Sequence, residues 1–165
     1  MRDISVAAQR RGSRLDLRFV VRGNAAGLAV PQKLMPARAD RLWQHTCFEA
    51  FVGIPDRENY IEFNLAPSGL WAAYAFTRPR EGMADVDGNA VIPLEMASDA
   101  ERLELSATLD LSPVPEFAAA PRWRCNLSAV IEERSGRKSY WALSHPPGRP
   151  DFHCRDCFVL ELPAA

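Results

Sequence analysis

The chain has 165 residues, of which 47% are hydrophobic and 25% charged, a composition typical of a soluble globular protein rather than of a disordered or collagen-like chain. The length predicts one domain that covers residues 1–165. Twenty Lys and Arg residues against 21 Asp and Glu leave a formal net charge of −1, so no general attraction to nucleic acid or to an anionic membrane is expected.

The amino-terminal segment is polar and lacks the apolar stretch of a signal peptide, and no run of about 18 apolar residues predicts a transmembrane helix. A cytoplasmic location without a membrane partner is therefore expected. Four cysteines are too few for a disulfide framework at this length and should be thiols in a reducing compartment. Cys47 and Cys125 each stand in an alternating apolar stretch, which predicts small buried side chains.

Alternation of apolar and polar residues with a period of two recurs along the chain, whereas helical periodicity is confined to one or two short windows. This pattern predicts strands at 3–9, 14–22, 46–54, 59–65, 70–77, 90–96, 102–109, 122–132, 138–144 and 157–162. One open sheet cannot cover the apolar faces of so many strands, so we expect an all-β fold of about 9–11 strands, either a closed barrel or an antiparallel two-sheet β-sandwich. Long connections at roughly 23–45 and 78–89 favour the sandwich.

Two neighbouring strands in the middle of the chain each have one apolar face and one mixed face. Alternation places Glu49 on the mixed face of the first strand, and Tyr60, Glu62 and Asn64 on that of the second. The commoner interpretation of such a face in an antiparallel pair is a solvated sheet surface. The alternative is a polar floor beneath a bound ligand.

Two tryptophans flank these strands. Trp43 lies just before the first strand, and Trp71 follows the second. An indole at a loop-to-strand junction either covers the core or offers its flat face to a ring-shaped ligand. For Trp43 and Trp71 the sequence therefore allows either a core position or a contact with a ligand.

The runs 42–51 (LWQHTCFEAF), 60–74 (YIEFNLAPSGLWAAY) and 145–153 (HPPGRPDFH) resemble the DOMON-like superfamily, and within it bacterial single-domain DOMON-like proteins related to family 9 carbohydrate-binding modules. The resemblance implies a β-sandwich that binds a ligand, either a sugar or a haem, on a concave sheet face or at its rim. It also implies that the domain carries out no chemistry of its own.

Carried over to this chain, a sugar-binding mode implies that Trp43 and Trp71 enclose a sugar ring, while its hydroxyls bond to Arg41, His45, Glu62 and Asn64. A ligand contact by His145 or His153 is a further prediction. The haem-binding mode implies instead an axial pair, with Met83 as the sulfur ligand and His145 or His153 as the imidazole.

Two further chemistries have candidate residues. His153, Cys154 and Cys157, with His145 nearby, offer the ligand types of a zinc site, but a single C-x-x-C pair is weak evidence and an ordinary loop is the favoured interpretation. Glu49 and Glu62 could lie within reach of each other, as the carboxyl pair of a glycosidase must. The default expectation is that both are exposed or that each meets an arginine.

The sequence thus favours a non-catalytic domain that binds a carbohydrate or saccharide fragment without a cofactor. We expect a monomer or weak dimer and a Kd of ~10⁻⁵ to 10⁻³ M, because ring stacking would supply most of the affinity. A b-type haem protein and a small hydrolase that uses the carboxyl pair are the alternatives.

Overall fold

The computed structural model describes residues 3–88 and 90–164, with the backbone alone at 92–94. These residues form twelve strands, which in chain order are β1 (Asp3–Arg11), β2 (Arg14–Arg22), β3 (Ala37–Arg38), β4 (Cys47–Gly53), β5 (Tyr60–Leu65), β6 (Leu70–Phe76), β7 (Ala84–Asp85), β8 (Val91–Ser98), β9 (Arg102–Asp110), β10 (Arg122–Glu132), β11 (Lys138–Ala142) and β12 (Leu160–Pro163). The helices are one turn each, with α1 at Pro115–Ala118 and 3₁₀ turns at Ala25–Gly27, Leu42–Gln44 and Arg155–Cys157. Among the described residues, no helix is long and apolar enough to cross a membrane.

The strands form two sheets, so the predicted all-β sandwich is confirmed. The smaller sheet has the order β1-β2-β9-β8 and is antiparallel throughout. The larger has the order β11-β10-β4-β5-β6-β3, with β12 added to β10 and β7 added to β6. Its pairs are antiparallel except for the two-residue pairing of β3 with β6, which is parallel.

The ten predicted strands are all present, and the two that were not predicted, β3 and β7, have two residues each and lie within the long connections. The predicted boundaries agree with the structure to within two residues, except at the start of the last strand. The last strand begins at Leu160 instead of 157, because Arg155–Cys157 forms a 3₁₀ turn. The ring of Phe158 packs in an aromatic cluster, where it is fully buried.

The main core lies between the sheets. Alternate residues of β4, β5 and β10 face the smaller sheet, and the ring centroids of Phe19 and Phe48 are 5.0 Å apart across the interface. Cys125 is buried in this core, as predicted, whereas Cys47 is buried on the opposite face of the larger sheet. That opposite face carries a second, smaller apolar cluster and the candidate site.

Candidate functional site

A cavity of about 510 Å³ lies on the face of the larger sheet that points away from the main core. Strands β4, β5, β6, β10 and β11 supply its floor and one wall, and the 3₁₀ turn before β4 and the segments that follow β6 and β11 supply the rest. The lining residues are Trp43, Glu49, Glu62, Tyr74, Phe76, Arg80, Met83, Val130, Tyr140, Pro150, Phe152 and His153. The mixed face is therefore a floor beneath a cavity and not a solvated sheet surface.

Two carboxyl groups stand on this floor. Glu49 and Glu62 are 3% and 5% exposed, and the pairing of Glu49 with Asn64 makes them diagonal neighbours across β4 and β5. Asn64 Nδ2 donates to Glu62 Oε1 at 2.6 Å, and Ser128 Oγ donates to Glu49 Oε2 at 3.4 Å. The default expectation of exposure or arginine pairing is wrong, because both are buried and neither forms an ion pair with an arginine of the described chain.

Burial changes the acidity of both groups. It raises the pKa of Glu62 to about 7, although the hydrogen bond from Asn64 and the charge of Arg80 act in the opposite direction. Burial, followed by the charge of Glu62, raises the pKa of Glu49 well above its ordinary value. Burial thus favours the protonated form of Glu49, and Glu62 is close to its midpoint at pH 7, so the floor can both donate and accept hydrogen bonds.

His153 borders the floor on the loop side. Tyr60 Oη lies 2.6 Å from its Nδ1 and also accepts a hydrogen bond from the backbone N–H of Arg80 at 3.1 Å. Since the Tyr60 hydroxyl proton has no other acceptor among the described residues, it goes to Nδ1 and leaves the histidine proton on Nε2. Nε2 lies 3.7 Å from Glu62 Oε2. Burial, and next the charge of Arg80, lowers the pKa of His153 to about 4, so the ring is neutral at pH 7.

Aromatic side chains form most of the remaining wall. Tyr60 stacks on Phe76 with ring centroids 5.0 Å apart and an interplanar angle of 12°. Phe152 lies 6.3 Å from the ring of Tyr140, which is half exposed at the mouth. Trp43 is also at the mouth, with 42% of its surface exposed. Flat apolar faces above a polar floor suit a ring-shaped ligand with polar substituents.

Arg80 supplies the charged part of the rim. Its Nη2 donates to Asp151 Oδ1 at 2.8 Å, and Asp151 Oδ1 also accepts from the backbone N–H of His153 at 3.1 Å. These bonds join the segment after β6 to the segment that carries Phe152 and His153. The two loops therefore form one connected wall.

Several predicted site residues meet in this cavity. Trp43, Glu62 and His153 line it, as does Met83, which had been assigned only to the haem alternative. Asn64 is fully buried beneath the cavity, where it holds Glu62 and accepts a weak hydrogen bond from Cys47 Sγ at 3.5 Å. Its position makes it a support for the floor.

Trp71 does not lie in this cavity, so the expectation that two indoles enclose one ligand is wrong. Trp71 is 6% exposed and packs in the main core on the opposite face of the sheet. The cause is register: Trp71 pairs with Leu65, and paired residues project to the same face. Because Leu65 is on the apolar side of β5, Trp71 is there too.

Arg41 and His45 line a separate depression of about 560 Å³. His45 Nδ1 lies 2.7 Å from Glu132 Oε2, and its side chain is 72% exposed. His145 is exposed and lies beside Phe152, with ring centroids 5.8 Å apart. These three predicted residues therefore do not converge with Glu62.

The donor geometry does not fit the haem alternative. Nδ1 of His153 is within hydrogen-bond distance of Tyr60 Oη, and Nε2 lies 3.7 Å from Glu62 Oε2, so an iron at Nε2 would have to share that space with the Glu62 carboxyl group. His145, the other candidate, is not among the residues that line the cavity with Met83. For the zinc alternative, no group of three or more His, Cys, Asp or Glu side chains in 3–88 and 90–164 could hold a metal ion, and Cys154 and Cys157 are free thiols there.

Sequence reasoning missed the aromatic wall. For Tyr74 and Phe76 the signal was partial: alternation puts both on one face of β6, but only the register, which pairs them with Glu62 and Tyr60, shows that this is the mixed face. For Arg80 and Phe152 there was none, because they come from irregular segments without periodicity.

Three solved structures have a similar architecture. A candidate carbohydrate-binding protein from Bacteroides uniformis superposes with a TM-score of 0.71 at 15% identity, covering 99% of this chain and 78% of that chain. A family 9 carbohydrate-binding module from Caldicellulosiruptor kristjanssonii in complex with glucose gives a TM-score of 0.56 at 10% identity, covering 99% of this chain and 76% of that chain. A family 9 module from the same organism in complex with cellotriose gives a TM-score of 0.55 at 10% identity, covering 98% of this chain and 74% of that chain.

No protein-family model and no curated protein matches the sequence. At 10–15% identity, the structural likeness shows the fold, which is like that of family 9 carbohydrate-binding modules.

Proposed function

We propose that this protein is a non-catalytic binding domain of the DOMON-like superfamily whose ligand is a saccharide. One observation carries the proposal: the outward face of the larger sheet forms a floor of buried polar groups beneath a cavity of about 510 Å³ with aromatic walls. The solved structures of similar fold support it, because two of them are modules in complex with glucose and with cellotriose.

The cavity offers both kinds of contact that a sugar requires. The CH face of a pyranose ring packs on Trp43 or Tyr140 at the mouth, where both rings are accessible. Its hydroxyls reach the floor, where the carboxyl groups of Glu49 and Glu62 can donate or accept hydrogen bonds. The ligand exchanges water hydrogen bonds for protein ones at little net gain, so we expect a Kd of ~10⁻⁵ to 10⁻³ M for a mono- or disaccharide.

Titration of a saccharide panel that includes glucose and cellotriose, followed by tryptophan fluorescence and calorimetry, tests the proposal. Trp43 is the tryptophan that lines the cavity, so Trp43→Phe should abolish the fluorescence change, and Trp43→Ala should weaken binding about tenfold. Thermal unfolding of Trp43→Ala should be almost unchanged, because the side chain is partly exposed.

Trp71→Phe is the matched control. This indole lies in the main core, so its replacement should lower stability while leaving the fluorescence response and the Kd intact. A flat response of the unmodified protein to every saccharide in the panel would overturn the proposal.

A small hydrolase is a second candidate because of one specific observation. Glu49 and Glu62 line the same cavity, and both have a raised pKa, as a general acid near neutral pH requires. A screen of chromogenic glycosides discriminates the two candidates. Turnover that is lost in both Glu49→Gln and Glu62→Gln would favour the hydrolase, and binding without turnover favours the binding domain.

A further inference from the structure

Both carboxyl groups on the cavity floor have an oxygen without a hydrogen bond from the described residues. Glu49 and Glu62 each have one carboxyl oxygen in a hydrogen bond, while Glu49 Oε1 and Glu62 Oε2 have none from the described residues. Both side chains are more than nine-tenths buried, and both line the cavity. Two acceptor oxygens of buried carboxyls are thus directed at whatever occupies the space.

The protein supplies little positive charge to balance them. Arg80 is the only arginine or lysine among the lining residues, and its guanidinium is bonded to Asp151 at the exposed rim. His153 approaches Glu62 no closer than 3.7 Å between Nε2 and Oε2. An ionised carboxylate at this depth is costly without a counter-charge, so a ligand that brings a cation would be favoured over one that does not.

The walls suit a cation as well. Five aromatic rings line the cavity, from Trp43, Tyr74, Phe76, Tyr140 and Phe152. An ammonium group is attracted to the faces of such rings, and more strongly where water is excluded. Carboxyl oxygens below and aromatic faces at the sides together form a receptor for an organic ammonium ion.

We infer that the saccharide recognised here is an amino sugar with a free, protonated amino group, which bonds to Glu49 and Glu62 while its ring packs on the aromatic wall. This inference rests on the proposed saccharide-binding function and specifies its ligand class. N-acetylation of the amine removes the charge and enlarges the group, so N-acetylated sugars should be excluded.

The ammonium group should displace a proton from the floor. The titratable or charged groups that face the two carboxyls are Cys47 on β4, Tyr60 on β5, Tyr74 on β6, and Arg80 and His153 on the loops. Of these, only Arg80 carries charge at pH 7, and binding of a cation therefore shifts the equilibrium of the carboxyl pair toward ionisation. Calorimetry in buffers of different ionisation enthalpy should detect proton release on binding.

The test compares glucosamine, N-acetylglucosamine and glucose on the full chain at pH 7 by calorimetry. We expect glucosamine to bind about tenfold or more tightly than either neutral sugar. Glu62→Gln and Glu49→Gln should each remove most of that preference, because each should weaken the binding of glucosamine much more than the binding of glucose. Glu95→Gln, at an exposed position on the smaller sheet, is the matched control and should keep the preference.

Failure of the amino-sugar inference and failure of the proposed saccharide binding give different results. Equal binding of the three sugars overturns the amino-sugar inference and leaves the proposed function intact. A preference for glucosamine that survives in both glutamine variants, shown to be folded by thermal unfolding, overturns the assignment to the carboxyl pair. No binding of any saccharide overturns the proposed function and the inference with it.

Discussion

The hydroxyl of Tyr60 lies 2.6 Å from Nδ1 of His153, and this contact joins the floor of the cavity to its wall. Tyr60 is the first residue of β5 and is fully buried, whereas His153 comes from the irregular segment between β11 and β12. The same hydroxyl accepts from the backbone of Arg80, so one oxygen connects a strand with two loops. The position of the wall therefore depends on a hydrogen bond from the floor.

Replacement of Tyr60 by Phe tests this connection. Loss of the hydrogen bonds should cost about 1–3 kcal/mol of stability, because the His153 ring nitrogen and the Arg80 N–H lose their partner. The pKa of His153, which is about 4, should rise because a hydrogen bond to its neutral form is removed. Histidine proton shifts in an NMR pH titration measure this change, and His45, an exposed histidine in the other depression, is the internal reference. An unchanged His153 titration would contradict the connection.

The stability of the protein should depend on pH through Glu62. The pKa of this group is raised from 4.5 to about 7, so its effect on folding is absent below pH 4.5 and becomes destabilising as the pH rises to 7. The difference corresponds to about 3 kcal/mol. The stability of Glu62→Gln relative to the unmodified protein should therefore increase from pH 4.5 to about pH 7. Above about pH 7 the difference in stability should stay constant.

Titration of His153 changes the stability with pH in the opposite direction to Glu62. The quantity to measure is therefore the difference in the free energy of unfolding between Glu62→Gln and the unmodified protein. The pKa of His153 is lowered from 6.5 to about 4, so its stabilising effect is present above pH 6.5 and is lost as the pH falls toward 4. Urea unfolding of both proteins from pH 4 to 8 gives the difference directly. A difference that does not change with pH would show that Glu62 titrates normally.

Gly53 at the end of β4 should not tolerate a side chain. A Cβ atom there would overlap the guanidinium of Arg155, which is fixed by hydrogen bonds to the backbone carbonyls of Ile54 and Arg57 and lies 4.4 Å from the Phe158 ring. Gly53→Ala should therefore cost about 1–3 kcal/mol in urea unfolding.

A double-mutant cycle identifies the cause of that loss. If the overlap with Arg155 is responsible, Gly53→Ala should cost much less when it is introduced together with Arg155→Ala. Equal costs in the two backgrounds would mean that the alanine acts on the strand itself.

The protein should not form a specific haem complex. Both ring nitrogens of His153 face protein groups, and Met83 has no second lining histidine with which to form an axial pair. Titration with haem, followed by visible absorption, should show no saturable Soret change at one equivalent. A saturable change that is lost in His153→Ala would contradict this prediction and revive the haem alternative.

The sequence alone was sufficient for the sandwich and for the set of residues that share the mixed face, but it did not predict that this face is buried beneath a cavity. Alternation placed Glu49 and Glu62 on one face because the side-chain period of a strand is fixed. The same rule, applied to the pairing of Trp71 with Leu65, would have placed this indole in the core, but strand register is not visible in one sequence. The loop residues Arg80 and Phe152 could not be located, because their positions depend on tertiary hydrogen bonds and aromatic contacts.

The central strand β5 presents core side chains on one face and cavity side chains on the other, residue by residue. Point substitutions can therefore change the lining of the cavity while the interior between the sheets is preserved. Insertion or deletion of one residue in β5 would instead turn Glu62 toward the core and bring Phe63 into the cavity in the same step. We expect descendants of this chain to diversify here by exchange of side chains and to keep the length of this strand.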